Sequence, residues 1–126
     1  MRLSYCPIAL AVLVACSTST LLDHAGILTV VPAPGSVTLA NNGPDPIFYF
    51  AIEQATASLL AWAPCVSPSA PCRRVLPQSR VQLLDSAIQG YEPGATEALV
   101  FWWHLVPNLP DGFRPDSIRM IIVRLL

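Results

Sequence analysis

Residues with catalytic side chains are few and scattered in this 126-residue chain. The two histidines are His24, near the N-terminus, and His104, inside a long apolar run. The carboxylates stand mostly among prolines and glycines, where they favour turns, and no two are spaced for acid–base work on one strand face. The sequence lacks Gly-x-Ser-x-Gly, a glycine-rich phosphate loop, and the His-x-x-x-His or Cys-x-x-Cys spacing of metal and redox sites. We therefore expect no enzymatic activity, no cofactor and no metal; a calcium site built from loop carboxylates stays open.

An aromatic run, Phe101-Trp102-Trp103, stands in the same apolar stretch as His104. Alternate side chains of a strand point to opposite faces, so Phe101 and Trp103 share one face while Trp102 and His104 share the other. Both faces are apolar, although a strand of a sandwich normally buries only one. In one interpretation, one tryptophan fills the core and a loop covers the other. Phe101 and Trp103 form the bulkier face, which favours that face as the core side.

The alternative interpretation is an exposed aromatic surface made by Tyr49, Trp102 and His104. Aromatic side chains are enriched in binding surfaces because they offer a large contact area with little side-chain entropy to lose. Such a surface would bind another protein or a glycan, and these three residues are our candidate binding residues.

The N-terminal residues have the parts of an export signal. Arg2 precedes the apolar run 8–15, which has the length of a signal-peptide core and is too short for a membrane-spanning helix. The last three residues of the run and the cysteine that follows form Leu13-Val14-Ala15-Cys16, which resembles the lipobox of bacterial lipoprotein precursors. In that class the cysteine is acylated and the precursor is cut just before it. A plain secretory signal prefers small residues at −1 and −3, and the leucine at −3 does not fit.

This resemblance implies a lipid anchor on Cys16 and a place in the bacterial cell envelope. It divides the chain into a signal peptide (1–15), a flexible tether (16–25) and a folded domain (26–126). Serine at position 17, where aspartate would indicate the inner membrane, favours the outer membrane, with the domain facing the periplasm. A soluble secreted protein, or a cytosolic protein with Cys16 buried, is the alternative.

Cys65 and Cys72 are the cysteines left once Cys6 is removed with the signal peptide and Cys16 is acylated. An even pair in an exported protein indicates a disulfide bond. The bond would close a short, proline-stiffened loop, which is our candidate for the loop that covers one tryptophan. A redox pair or half of a metal site is the alternative, although neither a histidine nor an acid lies inside the loop.

Charge is sparse, since the net charge is −1 and the chain has no lysine. Without a basic patch to follow a phosphate backbone, we expect no nucleic-acid partner. The partners that the sequence predicts are a membrane, through the lipid on Cys16, and another envelope protein or a glycan.

The folded domain is predicted to be all-β. Short apolar or alternating runs, interrupted repeatedly by glycine, proline and asparagine, show no sustained helical period. The predicted strands are residues 27–31, 36–40, 47–54, 58–63, 74–76, 80–84, 97–106 and 117–126. A short helix within 53–63 is the alternative to the fourth of these.

About seven to eight short strands, with turns about every 8–12 residues, predict an antiparallel β-sandwich or a small barrel. In size and rhythm the pattern resembles the immunoglobulin-like and fibronectin-III-like sandwiches, with Tyr91 in the place of a tyrosine corner. The resemblance does not extend to an inter-sheet disulfide, because Cys65 and Cys72 are too close in sequence, nor to Trp62 as the core tryptophan. We expect a lipid-anchored, non-enzymatic binding or structural module; an envelope hydrolase or metal-dependent enzyme with a hidden site is the alternative.

Overall fold

A computed structural model describes residues 21–22, 26–69 and 71–126 of the chain. The predicted signal peptide and the lipidation site Cys16 lie outside these residues. The described part is all-β with antiparallel sheets, as the sequence predicts. None of its helices is long and apolar enough to cross a membrane.

The first sheet has four strands in the order β1-β2-β3-β6. They are β1 (Leu21–Leu22), β2 (Leu28–Ala33), β3 (Ser36–Asn41) and β6 (Arg80–Leu84). Strands β2 and β3 form a hairpin closed at Gly35, whose φ of 83° is accessible to glycine without strain. Strand β1 falls within the segment predicted as a tether and pairs Leu21 with Val30.

The second sheet has the order β10-β7-β4-β5. Its strands are β4 (Ile47–Glu53), β5 (Arg74–Val75), β7 (Glu97–Trp103) and β10 (Arg119–Arg124). The register of the two central strands places Tyr49 opposite Trp102 and Phe50 opposite Phe101.

One cluster of buried side chains contains residues from both sheets, so the sheets share a core. The first sheet contributes Leu28, Val30, Val37, Leu39 and Leu83, and the second contributes Ile47, Ala51, Val75, Ala98, Val100, Trp102, Ile121 and Val123. Alternation along the strands produces this division, because every second side chain points to the same face. The largest member is Trp102, which is fully buried.

The predicted strand 58–63 is wrong, since this segment is not a strand in the structure. The chain leaves β4 through α1 (Gln54–Ala57), whose first turn is capped by the Glu53 carboxylate. That carboxylate accepts hydrogen bonds from the backbone N–H groups of Ala55 (2.9 Å) and Thr56 (3.0 Å). The N-cap satisfies backbone donors that have no partner within the helix, so it favours a turn of helix over a continued strand.

The predicted single strand 97–106 is also interrupted. The chain leaves the second sheet at His104 and forms a separate hairpin of β8 (Leu105–Pro107) and β9 (Phe113–Pro115). The backbone N–H of His104 donates to the Asp116 carboxylate (3.0 Å), so its partner is a side chain and not the backbone of a neighbouring strand. This hairpin helps to raise the number of strands within 26–126 to nine, above the predicted seven to eight.

Candidate functional site

The predicted exposed surface of Tyr49, Trp102 and His104 is wrong. Trp102 is fully buried between the two sheets, and Tyr49 packs half-buried against the same core. Burial raises the pKa of the Tyr49 hydroxyl, while the charge of Arg73 lowers it by less. Since the Trp102 face of β7 is the core face, the expectation that Phe101 and Trp103 point into the core is wrong as well.

The opposite face of the second sheet holds an aromatic cluster. Trp62, from the connection between β4 and β5, lies over the sheet with its ring centroid 4.8 Å from those of both Phe50 and Phe101. Its centroid is 5.9 Å from that of Trp103, which is 1% exposed. Aromatic pairs at these separations are favourable beyond the area that they bury. The cluster therefore covers part of the outer face of the second sheet.

Cys65 and Cys72 form the predicted disulfide bond, and the loop between them covers this cluster. The indole N–H of Trp103 donates to the carbonyl oxygen of Cys65 (3.1 Å), and Cys72 packs, buried, with Trp103 and Phe48. The interpretation that one tryptophan fills the core while the disulfide loop covers the other is confirmed.

A cleft of about 400 Å³ opens where β7 ends and the β8–β9 hairpin begins. This volume is within the range of about 300–1,000 Å³ that is typical of small-molecule sites. Apolar side chains make most of its wall: Pro46, Phe48, Pro68, Leu105, Val106 and Phe113. Its polar groups are Asp45, His104 and Asp116. A mostly apolar cavity with a few polar groups is the usual form of a binding site.

His104 and Asp116 form the polar side of the cleft. The ring Nδ1 of His104 lies 3.3 Å from Oδ2 of Asp116, and the backbone N–H of the same histidine donates to Oδ1. Asp116 Oδ1 also accepts from the backbone N–H of Ser117 (2.6 Å), and Arg119 Nη2 lies 3.5 Å from Oδ2. One carboxylate thus holds the histidine, the following turn and the start of β10.

The pKa of Asp116 is lower than its ordinary value. Burial alone raises it, but the backbone hydrogen bonds from His104 and Ser117 oppose this effect. The charge of Arg119 and the bond from the His104 ring lower it further. Because the lowering effects together outweigh burial, Asp116 presents a carboxylate to the cleft at neutral pH.

The core supports the His104 ring from behind. Its centroid lies 5.7 Å from that of Trp102 in an edge-to-face arrangement, and the Arg119 guanidinium stands 4.6 Å from the same indole centroid. The Trp102 Nε1 and Arg119 Nη1 atoms are buried without a hydrogen-bond partner among the described residues. A histidine held on two sides keeps its orientation toward the cleft.

A histidine whose Nδ1 contacts a carboxylate is one arrangement in which the other ring nitrogen can act as a general base. The residues that line the cleft within the described part of the chain include no serine, threonine, cysteine or lysine to act as a nucleophile. Within the same part, no group of three or more histidine, cysteine, aspartate or glutamate side chains is arranged to hold a metal ion. The cleft thus has the groups to bind and orient a ligand, together with one potential base.

The sequence predicts His104 as a binding residue but misses Asp116, which it treats only as a turn-former. The two are 12 residues apart and meet because the β8–β9 hairpin folds back between them. The available signal was the position of Asp116 directly after a proline and before a serine, where an aspartate bonds to nearby backbone N–H groups. That signal indicates a turn without indicating which distant side chain the carboxylate meets.

No protein-family model matches this chain, and neither a curated protein nor a solved structure shows significant similarity to it.

Proposed function

We propose that this protein is a lipid-anchored module of the bacterial cell envelope that binds another envelope component through the cleft beside His104 and Asp116. The cleft itself is the observation that carries this proposal. It joins apolar walls to an ionised carboxylate and a histidine, so it suits a ligand with an apolar part next to a hydrogen-bond donor. A side chain of an envelope protein or a glycan ring has both.

The order of the strands supports an immunoglobulin-like β-sandwich. In that fold, strands A, B and E lie in one sheet and C, F and G in the other. Strands β2, β3 and β6 match A, B and E, while β4, β7 and β10 match C, F and G. Strand β5 then pairs with C, as C′ does in variable-type domains. Tyr91 packs half-buried against the core in the connection between E and F, where a tyrosine corner lies.

The motif Leu13-Val14-Ala15-Cys16 supports the anchor, and Ser17 supports the outer membrane. Several acyl chains on Cys16 would hold the domain stably at the membrane, since one chain alone binds only marginally. Replacing Cys16 with serine tests this part of the proposal. The variant should leave the membrane fraction and lose acyl label, whereas a variant that stays in the membrane would contradict the lipid anchor.

A photo-cross-linking amino acid at position 113 tests binding through the cleft. Phe113 lines the cleft and is 39% exposed, so a benzoylphenylalanine side chain is accommodated there. Leu84, 56% exposed and on the first sheet, is the matched control position. We expect a discrete cross-linked product in intact cells from position 113 and none from position 84. The same products from both positions, or none from either, would contradict the cleft as a binding site.

The His104–Asp116 pair favours a second candidate, a hydrolase in which His104 is the general base for a water molecule. His104→Gln removes the base and keeps a polar side chain of similar size. If the wild type hydrolyses an activated ester such as p-nitrophenyl acetate at pH 7 well above the rate of His104→Gln, the enzyme is favoured. Equal rates favour the binding module.

A further inference from the structure

We infer that two copies of this chain associate through β10, edge to edge and antiparallel, so that their second sheets join. This association goes beyond the ligand cleft and does not depend on it. Strand β10 lies at the edge of the second sheet, and none of the described strands pairs with its outer side.

The pairing of β10 with β7 determines which backbone groups are free. The N–H of Leu125 donates to the carbonyl oxygen of Thr96 (2.8 Å), so this pair is of the hydrogen-bonded type. Hydrogen-bonded and non-bonded pairs alternate along an antiparallel ladder. Every second residue of β10, starting from Met120, therefore points its N–H and C=O away from β7. These residues are Met120, Ile122 and Arg124.

The same three residues carry their side chains on the outer face of the sheet. Ile121 and Val123 point into the core, whereas Met120 and Ile122 are 49% and 48% exposed. Free backbone groups and an exposed apolar strip thus coincide on one strand, which is the property that favours edge-to-edge pairing.

The other sheet edges are less suited to pairing. Strands β1 and β5 have two residues each, and β6 exposes Arg80 and Gln82 at its edge. Strand β10 has neither a proline nor an acid, and its charges are limited to the arginines at its two ends. It is the longest apolar edge of the described chain.

The positions of the arginines are compatible with a second copy in one register. A two-fold axis at Ile122 places Ile122 opposite its equivalent and Met120 opposite Arg124, so all three free residues are paired. In this register no arginine faces an arginine, whereas a two-fold axis at Arg124 would place like charges opposite each other. The outward side chains of the two copies then form one continuous apolar strip.

The contact is small for a protein interface, because stable complexes bury about 800 Å² on each partner. We therefore expect weak association in dilute solution. This step rests on the proposed lipid anchor, which would confine the copies to a thin layer at a membrane surface, raise their effective concentration and so favour the pair.

Cysteine cross-linking of the full-length chain tests the register directly. In a hydrogen-bonded antiparallel pair the Cα atoms lie about 5.5 Å apart, which suits a disulfide bond. Ile122→Cys should form a covalent dimer under mild oxidation, severalfold more than wild type. Leu59→Cys, 86% exposed and away from the edge, measures random collision.

Co-expression of two different cysteine variants provides the second readout. Met120→Cys and Arg124→Cys should each cross-link poorly alone, because their equivalents lie about 14 Å apart in this register. They should cross-link with each other when the two variants are expressed together. Cross-linking of Ile122→Cys no stronger than that of Leu59→Cys would overturn the association, and self-cross-linking of Arg124→Cys above that level would overturn the register.

Discussion

The Asp116 carboxylate accepts the backbone N–H of His104 at 3.0 Å and lies 3.3 Å from the Nδ1 atom of the same residue. These two contacts end β7, turn the chain into the β8–β9 hairpin and orient the histidine toward the cleft. A single carboxylate therefore couples the stability of the fold to the shape of the candidate site.

Replacing Asp116 with asparagine should destabilise the protein at neutral pH by at most about 1 kcal/mol, because charge-assisted hydrogen bonds are lost from a solvent-exposed position where water screens the charge. The folded pKa of Asp116 is lowered, so its contribution is present above the unfolded value near 3.8 and is lost as the pH falls through the folded value. Urea unfolding at pH 7 and pH 3 measures this. Asp111→Asn, at an exposed turn, is the control, and an equal loss at both pH values would contradict an electrostatic role.

Replacing Asp85 with asparagine should have the opposite effect. Asp85 is 5% exposed, its Oδ1 has no partner among the described residues, and burial raises its pKa. A raised folded pKa means that stability is greatest below the unfolded value near 3.8 and is lost as the pH rises through the folded value. We expect Asp85→Asn to add about 1 kcal/mol to the free energy of unfolding at pH 7.

The gain from Asp85→Asn should disappear at pH 3, where the wild-type carboxyl is protonated as well. Thermal unfolding at the two pH values measures the difference, with the exposed Glu92→Gln as control. A loss of stability at pH 7 would show that the buried charge is compensated.

Removing the disulfide bond should expose the aromatic cluster that contains Trp103 and leave Trp102 buried between the sheets. In the double variant Cys65→Ala/Cys72→Ala we expect a loss of about 2.5 kcal/mol from chain entropy, with the sheets intact. Because the loop covers Trp103 while Trp102 lies between the sheets, acrylamide quenching of tryptophan fluorescence should increase. In a Trp62→Phe background, which removes the other tryptophan of the cluster, adding Trp103→Phe should abolish most of that increase, and adding Trp102→Phe should not. The reverse order would contradict the assignment of the two faces.

Deleting the last six residues should abolish soluble folding. The deletion removes Ile121 and Val123 from the shared core and takes away most of the strand that pairs with β7. Removing only Leu126, which is 59% exposed, is the control. Recovery of the six-residue deletion as a monomer with unchanged thermal unfolding would refute this.

The alternation of side chains along a strand explains why much of the fold could be predicted from short stretches of sequence. Val37 and Leu39 on β3, and Phe48, Phe50 and Ile52 on β4, share faces as the period of two predicts. The Cys65–Cys72 bond could be predicted for a related reason. Two cysteines seven residues apart are brought together by the loop between them, so their pairing does not depend on the rest of the fold.

The sequence by itself thus determined the all-β class, most of the strands and the disulfide, because each depends on residues near one another in the chain. It could not determine which face of β7 enters the core, since Trp102 and Trp103 are equally apolar. Only the tertiary structure decided this, through the distant Trp62 and the disulfide loop that cover Trp103. The tertiary structure likewise brought Asp116 to His104, because a contact between side chains on two sides of a hairpin depends on where the chain turns back.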